Sequence, residues 1–109
     1  MFIGYGISVQ DIPFTYHTNW QAPGRWSIEI LTRKRRFYLK PMETLHFQNI
    51  GSVSVETMLV DDHLDKEFKP GLYLQTKAFL EGDYSRFCTI EQQKENIGKV
   101  YNKMSGYDL

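Results

Sequence analysis

The sequence predicts an α+β fold, in which a mainly antiparallel sheet carries two C-terminal helices packed on one face. Two observations indicate it. Apolar residues recur with a period of about two along the first two thirds of the chain, and with a period of about 3.6 after Pro70. The chain has 109 residues, an ordinary size for one globular domain, so we treat residues 1–109 as a single domain.

Two strands are predicted before residue 21. Ile7 and Val9 alternate with polar neighbours over residues 6–10, and a second extended segment covers 14–20. The segment 21–24 reads as a turn, because proline presets one backbone dihedral angle and glycine accepts a positive φ. We expect this turn to join the strand over 14–20 to the following strand in a hairpin.

The strand over 26–32 has the clearest alternation. Trp26, Ile28 and Ile30 fall on one face, whereas Leu31 falls on the other. The basic block 33–36 then interrupts the apolar pattern. Arginine could in principle hold a phosphate or a nucleic acid there, but a hairpin tip is the favoured interpretation. Further strands are predicted over 44–48 and 52–59, and 61–69 is predicted to be a charged loop.

Two helices follow. Pro70 and Gly71 open the first, which ends at the turn 81–83. Thr89 and Gln92 match a capping box that begins the second, and Gly106 is a natural C-cap. Apolar stripes on both helices are expected to face the sheet, so truncating Phe79 or Tyr101 should cost about 3–5 kcal/mol of stability.

Composition excludes several classes of function. Thirteen basic and thirteen acidic residues give a formal charge of zero, which disfavours binding to nucleic acid or to an anionic membrane surface. Cys88 is the single cysteine, so no intrachain disulfide can form. No apolar stretch approaches the roughly 18 residues of a membrane helix, and no secretory signal is visible. A cytoplasmic protein is the expectation.

Residues that carry chemistry are scattered. The three histidines, His17, His46 and His63, lack the close spacing of a zinc site, and Cys88 has no partner base in the sequence. The carboxylates of 61–67 lack the glycine and ligand spacing of a calcium loop. No Gly-x-Gly-x-x-Gly segment occurs, so we expect no bound NAD or NADP. We predict no catalytic and no metal-binding residue.

One segment is a candidate ligand surface. His17, Asn19 and Trp20 place hydrogen-bonding groups and a large ring beside a turn, and we predict that they line a ligand-binding surface. The residues alone also allow a free-standing ligand-binding or protein-interaction module. Because the strands carry large apolar residues on both faces, we expect a homo-oligomer that pairs through the sheet face away from the helices.

Several short blocks carry a family resemblance. They are TNWQAPGRW (18–26), IEILT (28–32), RR (35–36), KPME (40–43), FKPGLYLQT (68–76) and AFL (78–80). In this order they resemble the C-terminal region of the glucose–fructose oxidoreductase, inositol dehydrogenase and MocA (Gfo/Idh/MocA) family, over roughly residues 15 to 107.

The resemblance implies the substrate-side and oligomerisation domain of an NAD- or NADP-dependent oxidoreductase acting on a sugar or polyol. In that family a separate N-terminal domain binds the dinucleotide, and this sequence does not contain it. The family's catalytic lysine lies in a Glu-Lys-Pro motif, whereas Lys40 and Lys69 precede proline without that glutamate. The family's Asp and His pair has no counterpart either, so the resemblance implies no catalysis by this chain alone.

Overall fold

The computed structural model describes residues 1–106 and has the predicted α+β fold. Its strands are β1 (Phe2–Ile7), β2 (Pro13–Thr18), β3 (Ile28–Leu31), β4 (Arg35–Leu39), β5 (His46–Asn49) and β6 (Glu56–Thr57). Its helices are α1 (His63–Glu67), α2 (Leu72–Glu81), α3 (Ile90–Asn96) and α4 (Asn102–Ser105), with a π-helical segment at Ile97–Tyr101 between the last two. The chain forms two compact units, Met1–Pro23 with Ser85–Leu109, and Gly24–Tyr84.

The first unit is built on an antiparallel pair of strands. Gly4 of β1 lies opposite Tyr16 of β2, and Gly6 lies opposite Phe14. Both aromatic rings lie over the glycines so closely that a Cβ on Gly4 would meet the Tyr16 Oη at 2.4 Å. The Tyr16 hydroxyl also donates to the Met104 carbonyl at 3.3 Å. The C-terminal helix is therefore held to the covered face of this strand pair.

The pairing of β2 corrects one prediction. We expected the turn at 21–24 to join β2 to the next strand, but β2 pairs back onto β1. A turn over 8–12 makes this possible, since the Ser8 amide donates to the Ile12 carbonyl and the Ser8 hydroxyl accepts from the Gln10 amide. Asp11 completes the turn with a φ of 57°. These hydrogen bonds satisfy backbone polar groups within the turn itself.

The second unit contains a four-stranded antiparallel sheet in the order β3-β4-β5-β6. The register pairs Ile28 with Leu39, Ile30 with Phe37, and Phe37 with Phe47. The predicted alternation along β3 and the hairpin tip after it are thus confirmed. The strand predicted over 52–59 is far shorter, because only Glu56 and Thr57 pair with β5.

The helix boundaries follow the predicted capping residues. Thr89 and Gln92 form a reciprocal capping box at the start of α3. Gly71 and Gly82 flank α2 with φ values of 74° and 75°, which glycine adopts at little cost. The segment 61–69, predicted to be a loop, contains the short helix α1. An Asp62–Lys66 ion pair of 2.9 Å supports that helix.

The placement of the helices differs from the expectation of one sheet backed by two helices. The strands divide into two sheets, and α4 lies beside β1. In the second unit, no Cα atom of α1 or α2 comes within 8 Å of the four-stranded sheet. The apolar residues of α2 therefore lack the sheet surface that the periodic pattern anticipated.

A consequence is that no side chain among residues 1–106 is fully buried. The chain exposes 10279 Å² of accessible surface in total. Phe79 and Tyr101, predicted to face a core, are 59% and 47% exposed. That prediction is wrong for this structure because no second layer covers their stripes.

Candidate interaction surfaces

One face of the four-stranded sheet is mainly apolar, with Arg35, Asn49 and Glu56 at its border. It carries Ile28 and Ile30 from β3, Phe37 and Leu39 from β4, and Phe47 from β5. Alternation places all five on the same side because successive side chains of a strand point to opposite faces. Ile28 and Ile30 are each nearly half exposed, and the other three are partly covered. This face is a hydrophobic layer without a second layer on it.

The opposite face mixes apolar and polar groups. The Tyr38 hydroxyl donates to Gln48 Oε1 at 2.9 Å, and His46 Nδ1 lies 3.1 Å from Thr57 Oγ1. Leu31 is also on this face and is 68% exposed. Hydrogen bonds along the strands fix these polar side chains in place. The result is an ordered polar surface with an open aliphatic patch at its β3 edge.

The outer face of β1 is a second apolar surface. Its exposure alternates along the strand, and Ile3, Tyr5 and Ile7 are the exposed members. Tyr5 is 84% exposed although its neighbours Gly4 and Gly6 are partly covered. An alternating strand normally buries its apolar residues, so this face also lacks a covering layer.

Helix α2 carries an apolar groove of about 460 Å³. Phe68 and Tyr73 stack at one end with ring centroids 4.9 Å apart, while Leu72 and Leu80 line its length. Leu72, Thr76 and Leu80 lie four residues apart along one helix face, and Phe68 precedes the helix. An apolar helix or strand could pack into this groove.

The structure places the predicted substrate residues at the end of β2. His17 pairs with Ile3 and is exposed on the outer face of β1 and β2. Asn19 Oδ1 accepts from the Gln21 amide at 3.0 Å, so the Asn19 side chain stabilises the turn that follows β2. Trp20 is exposed. The three residues are close in sequence, but none of them lines the α2 groove or the depression between residues 33–36 and the end of β5.

One pair of titratable residues, which the sequence analysis did not single out, is brought together before α1. His63 Nδ1 lies 2.7 Å from Asp61 Oδ1, and both side chains are exposed. The hydrogen bond from the His63 ring holds the pKa of Asp61 below its usual range, and the His63 backbone amide acts in the same direction. The pair lies in solvent, so it orders the start of the helix without forming an enclosed reaction site.

The other side chains that could bind a metal or react do not form a cluster in the described residues. Within residues 1–106 no three His, Cys, Asp or Glu side chains come close enough to share a metal ion. Cys88 is exposed, with its thiol 3.5 Å from the Thr89 carbonyl. In the same part of the chain, no helix combines the length and apolar character needed to cross a bilayer. The chief functional feature is thus the extent of uncovered apolar surface.

Comparison with protein-family models, with curated proteins and with solved structures finds no match for this chain.

Proposed function

We propose that this chain is the substrate-side and subunit-association domain of a cytoplasmic NAD(P)-dependent oxidoreductase that acts on a sugar or polyol. One observation carries the association role: residues 1–106 contain no buried side chain, although large apolar residues are open on sheet and helix alike. Exposed apolar patches of more than a few hundred Å² are uncommon on monomers. They mark surfaces that another polypeptide covers.

The position of the open apolar residues indicates what covers them. Large exposed apolar side chains lie on β1, on the four-stranded sheet and on α2. Because these surfaces lie on separate elements, we infer two neighbours, a second copy of the chain and a further domain of a parent enzyme.

The two faces of the four-stranded sheet suit different neighbours. The face with Ile28, Ile30 and Phe47 is apolar except where Arg35, Asn49 and Glu56 border it, and an apolar layer of this kind is typical of a surface packed inside a protein. The opposite face combines Leu31 with the ordered polar groups of Tyr38 and Gln48. That mixture resembles a subunit interface, so we assign the contact between copies to this second face.

The enzymatic part of the proposal rests on the blocks shared with the Gfo/Idh/MocA family. In the parent enzyme, the dinucleotide-binding domain would bind NAD or NADP and carry the catalytic lysine. This chain supplies substrate contacts, for which His17, Asn19 and Trp20 are the candidates. A free-standing ligand-binding or protein-interaction module is the alternative, and it shares the same uncovered faces.

Sedimentation equilibrium of the full chain tests association. We expect a mass near twice 12.9 kDa that falls toward 12.9 kDa on dilution. The variant Leu31→Asp should move the equilibrium toward monomer, because it adds a charge to the proposed contact. The matched variant Leu59→Asp changes an exposed leucine outside the strands and should leave the mass unchanged. A mass of 12.9 kDa at every loading overturns the proposed contact.

The oxidoreductase assignment has a separate test. We expect the coding sequence before the codon for Met1 to encode a strand, a Gly-x-Gly-x-x-Gly turn and a helix in frame. A frame without that motif overturns the oxidoreductase assignment and favours the free-standing module, whatever the sedimentation result. The two experiments therefore fail independently.

A further inference from the structure

The tip of the β3–β4 hairpin concentrates positive charge. Arg33 and Lys34 form the turn, and Arg35 and Arg36 begin β4, so four of the thirteen basic residues are consecutive. The tip and the end of β5 border a depression of about 230 Å³. That volume exceeds several water molecules at about 30 Å³ each but is smaller than an ordinary drug-sized pocket of about 300–1,000 Å³. The depression is open to solvent and admits a small polyatomic ion.

Arg35 is held in a fixed orientation. Its Nε donates to Asn49 Oδ1 at 3.0 Å, and its guanidinium carbon lies 5.0 Å from the centre of the Phe47 ring. These two contacts fix the plane of the guanidinium. Among residues 1–106, its terminal nitrogens have no hydrogen-bond partner. Arg35 therefore presents an oriented pair of donors at the edge of the depression.

The backbone that carries the cations is fixed as well. Thr32 Oγ1 accepts from the Arg35 amide at 3.0 Å and donates to the Arg35 carbonyl at 2.8 Å. The Ile50 amide donates to the Lys34 carbonyl at 2.9 Å, which ties the turn after β5 to the tip. A fixed scaffold reduces the entropy that a ligand must remove when it binds.

The local charge identifies the ligand class. Arg36 is neutralised by Glu29, with Nη2 and Oε2 3.0 Å apart. Arg33, Lys34 and Arg35 make no ion pair within 4.0 Å among the described residues, and the Glu56 carboxylate accepts from Asn49 Nδ2, beside Arg35, at 3.4 Å. Three cations against one carboxylate leave about two positive charges, which match a phosphate monoester near pH 7.

We propose that the hairpin tip binds the phosphate group of a small phosphorylated molecule. Arg35 supplies the directional donors, while Arg33 and Lys34 supply charge. A nucleic acid fits less well, because the chain is neutral overall and residues 61–67 of the same unit are acidic. This site borders both faces of the sheet, since Leu31 lines the depression and Arg35 lies over Phe47, but it does not rest on the oxidoreductase assignment.

The test is a titration of the isotopically labelled full chain with sodium phosphate at constant ionic strength, followed by heteronuclear NMR. We expect saturable shifts of the Lys34, Arg35 and Ile50 amides and of Arg35 Nε–H, with a millimolar dissociation constant. Sodium acetate at the same ionic strength should not shift these signals saturably. Equal shifts with acetate, or none with phosphate, overturn the proposal.

Variants separate the role of Arg35 from general charge. Arg35→Lys keeps the charge but loses the planar donor pair, and we expect about a tenfold weaker affinity for phosphate. Arg25→Ala removes an exposed arginine paired with Glu43 outside the tip and should leave the affinity unchanged. Unchanged affinity in Arg35→Lys overturns the directional role. An oligonucleotide that binds more tightly than phosphate at equal phosphate concentration overturns the small-molecule assignment.

Discussion

Replacing Gly4 with alanine tests the packing of β1 against β2. The added Cβ would lie 2.4–2.9 Å from Oη, Cζ and Cε1 of Tyr16, closer than real side-chain contacts allow. The Tyr16 ring must therefore swing away, and its hydroxyl then loses the Met104 carbonyl. Gly4 does not have a positive φ, so alanine brings no backbone strain and reduces the entropy of the unfolded chain.

These effects can be weighed. Overpacking costs about 1–3 kcal/mol and the lost hydrogen bond about 0.5–1.5 kcal/mol, while the entropic gain is about 0.4–1 kcal/mol. We expect Gly4→Ala to lower the free energy of unfolding by about 1–3 kcal/mol. Urea unfolding, followed by circular dichroism at one fixed chain concentration, measures it.

Two controls locate the cause. Gly24→Ala should have a small effect, because no atom lies within 4 Å of its Cβ position. In a Tyr16→Ala background, Gly4→Ala should also become nearly neutral, since the obstructing ring is gone. If Gly4→Ala destabilises the chain equally with and without the Tyr16 ring, the ring contact is not the reason for the glycine.

Two further predictions follow from exposure and charge. Phe79→Ala should cost only about 1–2 kcal/mol in urea unfolding of the chain, because the 59% exposed ring loses its edge contact with Tyr84 and little burial; a loss of 3 kcal/mol or more would mean that a core covers it. Lys99 donates to Glu95, and this hydrogen bond lowers the pKa of the Glu95 carboxyl. The ion pair therefore stabilises the helix at neutral pH, and that stabilisation is lost as the pH falls below the ordinary glutamate value and through the lowered pKa of Glu95. Helicity followed by circular dichroism should therefore fall less on acidification in Glu95→Gln than in the wild type, with Glu67→Gln as the control, and equal acid losses would contradict the pairing.

The sequence by itself determined the features that depend only on residues close together in the chain. Thr89 and Gln92 form the predicted capping box because the two groups are three residues apart and meet in any helix that begins there. Gly82 ends α2, and the basic residues 33–36 form a hairpin tip between two alternating strands. Each of these features satisfies backbone polar groups within a few residues, so the local pattern contains the information.

Only the tertiary structure decided which distant segments meet. The pairing of β2 with β1, and hence the position of the Phe14 and Tyr16 rings over glycines, follows from a register that alternation alone does not specify. The orientation of Arg35 likewise requires Asn49 and Phe47 from another strand. The apolar stripes of α2 and the C-terminal helix predicted which side chains would pack against another layer of structure. Whether a neighbour covers them depends on long-range packing, and in this chain Phe79 and Tyr101 stay half exposed.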